Sequence, residues 1–106
     1  MGSFLTQTVV TGATWTLVYT APATNSVTYH VFMLNRGAST ASMSVAVGDS
    51  TVTTPTSINE MLVDYNLASK ANQIGIQATL PPNYKVWVKA AAAATVNVTV
   101  YGLDLP

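Results

Sequence analysis

Apolar side chains return at every second position through most of this 106-residue chain, and that period commits it to strands buried on one face. Thr95-Val96-Asn97-Val98-Thr99-Val100-Tyr101 alternates without a fault. Met43, Val45 and Val47 alternate with Ser42, Ser44 and Ala46, and Ile74, Ile76 and Ala78 with Gln73, Gly75 and Gln77. Trp15, Leu17 and Tyr19 alternate with Thr14, Thr16 and Val18. The longest run, about Val27 to Asn35, sets Val27, Tyr29, Val31 and Met33 against Thr28, His30, Phe32 and Leu34. Tyr84, Val86 and Val88 alternate with Lys85, Trp87 and Lys89, giving one aliphatic and one basic-aromatic face. With Phe4 to Val10 and Met61 to Leu67 added, the count is about eight strands.

Turn formers separate these runs: Thr11-Gly12, Ala21-Pro22, Asn35-Arg36-Gly37, Gly48-Asp49-Ser50, Pro55 and Pro81-Pro82-Asn83. Short strands with turn signals about every 8–12 residues predict a sandwich or barrel. A chain of this length buries roughly 65% of its unfolded surface as one domain. The expectation is therefore a single all-β domain over 1–106, an antiparallel β-sandwich, jelly-roll-like, of about eight strands.

Two segments allow a second reading. Ser57-Ile58-Asn59-Glu60 matches a capping box, and Ile58, Met61, Leu62 and Tyr65 have helical spacing. Against it, Met61, Val63, Tyr65 and Leu67 alternate with Leu62, Asp64 and Asn66, and a strand suits the neighbouring strands better. Ala90 to Ala94 favours helix, but five residues fall short of the roughly 12–15 that a lone helix needs. A small-residue corner is expected there.

Charge then narrows the function. Four basic and four acidic residues make up 8% of the chain, against roughly 25% in an ordinary domain. The first charged residue is Arg36. Net charge near zero favours association, so the composition points to an assembly component. No basic run supplies the footprint of a nucleic-acid binder. There is no cysteine, hence no disulfide and no thiolate metal site. Residues 1–8 have neither a basic region nor an unbroken apolar core, so no secretory signal is expected. No stretch approaches the roughly 18 consecutive apolar residues of a membrane helix. An outer-membrane barrel would require export, so a soluble chain is expected.

Catalytic chemistry finds little to work with. His30 is the only histidine and lies mid-strand on a mixed face, where a hydrogen-bonded interior or surface role is expected. Asp49, Glu60, Asp64 and Asp104 are scattered, with no calcium-loop spacing. No Gly-x-Ser-x-Gly elbow and no phosphate-cradling loop occurs. Asn97-Val98-Thr99 matches a glycosylation acceptor formally, but it lies inside the best strand. The chain is expected to be no enzyme and to hold no metal or other cofactor. Aromatic residues are the informative minority. Trp87, between Lys85 and Lys89 on one strand face, is either an exposed interface anchor or a packed residue whose lysines reach solvent at a bent edge. Tyr101, between Thr99 and Leu103, and Phe32, on the mixed face of the longest strand, complete the interface candidates.

The run from Tyr19 through Thr20-Ala21-Pro22-Ala23 to Tyr29 resembles the strand and turn of small tailed-bacteriophage virion proteins, in which a long strand ending in Asn-Arg follows. Here that pair is Asn35-Arg36. The segment Leu80-Pro81-Pro82-Asn83-Tyr84-Lys85-Val86-Trp87-Val88-Lys89-Ala90 is similar to another of that group, with Asn83-Tyr84 replacing the usual Gly-Asp. Val96-Asn97-Val98-Thr99-Val100-Tyr101-Gly102 resembles their closing strand and glycine. These segments make up roughly a third of the chain and are spread between Tyr19 and Gly102. The resemblance implies a small β-sandwich on a phage particle, with no catalytic residues to transfer. The expected function is a capsid decoration (cement) protein that forms homo-oligomers, trimers by expectation, on the outer shell. Its partners would be itself and the major capsid protein, with no nucleic acid and no membrane. Its location would be the virion, assembled in the host cytoplasm. The alternative is a tail, baseplate or fibre module binding host-surface glycan through Trp87 and nearby tyrosines. A third is a free carbohydrate-binding module or small enzyme.

Overall fold

Val27, Tyr29, Val31 and Met33 are all buried, and the residues between them are half-exposed, so the longest predicted strand forms as its alternation dictates. This computed structural model describes residues 2–90 and 94–105. Three residues of the expected alanine corner, Ala91, Ala92 and Ala93, lie outside the described residues. The strands are β1 (Ser3–Thr11), β2 (Thr16–Thr20), β3 (Ser26–Asn35), β4 (Ala41–Gly48), β5 (Glu60–Leu67), β6 (Asn72–Leu80), β7 (Lys85–Lys89) and β8 (Thr95–Leu105).

They pair antiparallel as β1 with β8, β2 with β7, β3 with β6 and β4 with β5. That is one long hairpin, rolled until β8 also meets β3 and β7 also meets β4. Rolling produces two four-stranded sheets, a front sheet ordered β1-β8-β3-β6 and a back sheet ordered β2-β7-β4-β5. The architecture is an all-β jelly-roll sandwich, as the period and turn spacing predict.

Between the sheets lies a core rich in valine: Val10, Val27, Val31, Val45, Val86, Val88, Val96, Val98 and Val100, with Tyr29, Met33, Met43 and Leu80. β-Branched side chains fit a pleated surface, and each such burial stabilises by about 1.5–3 kcal/mol. One polar side chain enters this region on purpose. Asn35, 1% exposed, donates from Nδ2 to the carbonyls of Ser39 and Leu67 at 2.9 Å each and accepts the Gly37 N–H at 2.9 Å. It closes the turn after β3 and ties the front sheet to the back.

Residues 57–67 resolve their two readings in sequence order. Thr56 N–H donates to Asn59 Oδ1 at 3.0 Å, so the cap acts one residue before the Ser57 pattern. A single 3-10 turn, Ser57–Asn59, follows, and the chain then becomes β5 on the open edge of β4. The longer helix does not form. Nor is the alternation of β5 strict: the register slips twice against β4, and Asp64 takes φ +50°. Leu62 packs against the core and Leu67 is buried, while Met61 and Val63 face solvent.

Candidate assembly surfaces

Strand parity divides the five candidate interface residues between opposite sides of the sandwich. Lys85, Trp87 and Lys89 pair with Gly48, Ala46 and Ser44 and point outward from the back sheet. Phe32 and Tyr101 point outward from β3 and β8 of the front sheet. They therefore do not form one surface.

On the back, the loop 49–59 folds over the outer face. A Cβ added to Gly48 would sit 2.8 Å from Val52 Cγ2, so only glycine leaves room for that loop. Pro55 is buried, and Thr53 and Thr54 line one hollow with Trp15, Trp87 and Lys89. Trp87 is only 4% exposed, although it lies outside the inter-sheet core. Its two lysines serve the same cover. Lys85 Nζ donates to the Ser50 carbonyl at 3.5 Å, and Lys89 Nζ stands 4.6 Å from the Trp15 ring centroid in a cation–π contact. At the loop's start, Asp49 Oδ1 accepts the Thr51 N–H at 2.9 Å and the Thr51 hydroxyl. The Thr51 hydroxyl and then its amide hold the Asp49 carboxyl below the ordinary range.

On the front, Leu5, Val9 and Leu103 stand exposed, with no described loop folded over them. Register aligns four rows across the sheet. Ser3, Leu103, Thr28 and Thr79 form one, and Leu5, Tyr101, His30 and Gln77 the next. Gln7, Thr99 and Phe32 follow, then Val9, Asn97, Leu34 and Asn72. No Asp, Glu, Lys or Arg occurs in these rows. Leu5 is 62% exposed, Val9 55% and Leu103 45%. Charge touches the face at one corner, where Arg36 lines an open hollow with Gln7, Val9, Asn97 and Thr99.

At the centre of the face, the His30 ring lies flat on Tyr101, with centroids 4.8 Å apart and planes within 6°. His30 Nδ1 and Asn97 Oδ1 are buried and find no hydrogen-bond partner among the described residues. Across the sheet His30 pairs with Tyr101 and Gln77, neither of them an acid. Among the described residues no three metal-ligating side chains converge, and no helix is long and apolar enough to cross a membrane. Burial raises Tyr29 above the ordinary phenol value, and burial followed by the Asp104 carboxylate raises Tyr19. Both phenols thus stay neutral.

Leu5, Val9 and Leu103 were not among the expected interface residues, yet β1 carries the signal. Phe4 and Val10 face the core while Leu5 and Val9 face out, so the strand is apolar on both sides. A second exposed apolar group, Ile58, Met61 and Val63, follows the β5 edge.

No family model matches the sequence, and no curated protein does so. Solved structures match in fold. The nucleoplasmin-like N-terminal domain of Drosophila FKBP39 aligns at a TM-score of 0.57 and 11% identity over 98% of this chain and 92% of that one. A chain in the acidic stable capsid of Helicobacter pylori bacteriophage KHP30 aligns at 0.57 and 18% identity, over 95% and 87%. A chain of the cyanophage Pam1 capsid asymmetric unit aligns at 0.46 and 20% identity, over 98% and 85%. At these identities the likeness to the first two is one of fold.

Proposed function

We propose that this chain is a structural protein of a tailed-bacteriophage virion, a head decoration protein that oligomerises, as trimers, on the outer shell. The observation that carries the reading is the uncharged, partly apolar outer face of the front sheet. The fold shared with a chain of the KHP30 capsid supports it. Such a protein works by buried area. An interface of about 1,600 Å² spans micromolar to picomolar affinity, and many copies on one shell add their weak contacts into a durable particle.

The glycan-binding alternative needs an open indole face. Trp87 is nearly buried, and the Lys89 ammonium stands over the Trp15 ring. The decoration reading keeps precedence for that reason.

Labelling the chain and imaging intact particles tests the proposal. Density at regular positions on the head, and co-purification with the major capsid protein, is the expected result. Density confined to tails or fibres, or a chain absent from particles, overturns it.

A further inference from the structure

We infer that the outer face of the front sheet is the surface through which this chain joins further copies of itself. The inference rests on the face that carries the proposed function, and its test on the isolated chain tells the failure of one from the failure of the other.

Four observations carry it. First, the four rows on this face hold no charged side chain, and Arg36 touches it only at one corner, so a second copy meets little like charge. Second, the polar side chains there are Ser, Thr, Gln, Asn, Tyr and His, each able to donate and accept a hydrogen bond. A face of lysines or of aspartates cannot satisfy its own copy, whereas this one can. Third, Leu5, Val9 and Leu103 supply exposed apolar anchors, and His30 Nδ1 and Asn97 Oδ1 are already shielded from water. Covering those two atoms therefore adds little desolvation.

The fourth observation is area. Four strands about 4.8 Å apart, each about 9 residues long at about 3.3 Å per residue, project to about 570 Å². Two such faces bury about 1,100 Å², above the roughly 1,000 Å² expected of a specific contact. On the back sheet the loop 49–59 already folds over Trp87 and Gly48, which leaves exposed apolar side chains toward the edge strands, at Leu17, Met61 and Val63.

Sedimentation velocity on the isolated full chain at tens of micromolar decides the matter, with Leu5→Lys, Thr99→Lys and Gln77→Lys on the face and Met61→Lys on the β5 edge. Wild type and Met61→Lys are expected to sediment as oligomers. The three face variants should run as 11.1 kDa monomers while melting within a few degrees of wild type. Three variants on three strands keep the test decisive should one fail to fold. A monomeric wild type overturns the inference, as do face variants that remain oligomeric or dissociation caused by Met61→Lys alone. If wild type is monomeric and Leu5→Lys instead releases the chain from particles, the face docks on a shell protein. That outcome refutes self-association and leaves the virion reading standing.

Discussion

The side-chain amide of Asn35, at the end of β3, donates to the main-chain carbonyl of Leu67 at the end of β5, 2.9 Å away in the opposite sheet. Replacing Asn35 with leucine keeps the branched outline, adds volume at a buried site and strands the Leu67 carbonyl. A buried group left unpaired costs about 1–3 kcal/mol. Asn35→Leu should therefore lower the melting temperature by several degrees, at about 4–8 °C per kcal/mol in a domain of this size. Asn35→Asp should do the same, because it keeps the acceptor for Gly37 and loses both donors. Unchanged melting in both variants would show that the cross-sheet bond contributes nothing.

Gly102 gives a steric prediction. A Cβ added there would lie 1.7 Å from the Thr28 carbonyl oxygen, a main-chain atom of β3 that cannot swing aside. The strands must separate locally to admit alanine. Overpacking of this kind costs about 1–3 kcal/mol or more. Gly102→Ala is expected to melt well below wild type and to expose the β3–β8 amides to exchange first. Wild-type melting would mean that the strands part at no cost.

Trp87→Ala should act on folding. The indole fills the space between the back sheet and its loop, and truncating a buried tryptophan costs about 3–5 kcal/mol. Chemical denaturation of the variant is the measurement. Full stability with impaired self-association would return Trp87 to the role of interface anchor.

Asp49 gives a prediction in pH. Its folded-state value lies below the ordinary one, so its contribution is present above the unfolded value and is lost as pH falls through the lower, folded one. The carboxylate is fully exposed, and the effect is local. In an NMR titration the Thr51 amide should follow Asp49 with a midpoint below that of an ordinary aspartate. A midpoint at or above 3.8 would show that the Thr51 bonds do not favour the charged form.

The sequence exposes the fold well because the alternation of β3, β7 and β8 is strict and only two inner faces are available. Trp87 shows where that reading ends. Its parity, outward beside Lys85 and Lys89, is legible, but the loop 49–59 that covers it is a tertiary fact with no period to announce it. Likewise Asn35 reads as a turn former beside Gly37, while its bond to Leu67 spans 32 residues. Met61 to Leu67 alternates on paper, but the slips around Met61 and Asp64 rotate its side chains off that pattern.

Those slips have company. Where pairing skips a residue, the extra one always sits on an outermost strand: Val18 in β2, Gly75 in β6 and two places in β5. Only β1 presents an uninterrupted border, nine pairs long. A bulged border cannot template a foreign strand for more than a few residues. So sparsely charged a chain, crowded at high copy number, would otherwise be at risk of zipping edge to edge into endless ribbons. With β1 as the one straight margin, two chains can pair edge to edge, but the irregular opposite margin on β6 leaves a growing ribbon without its second template.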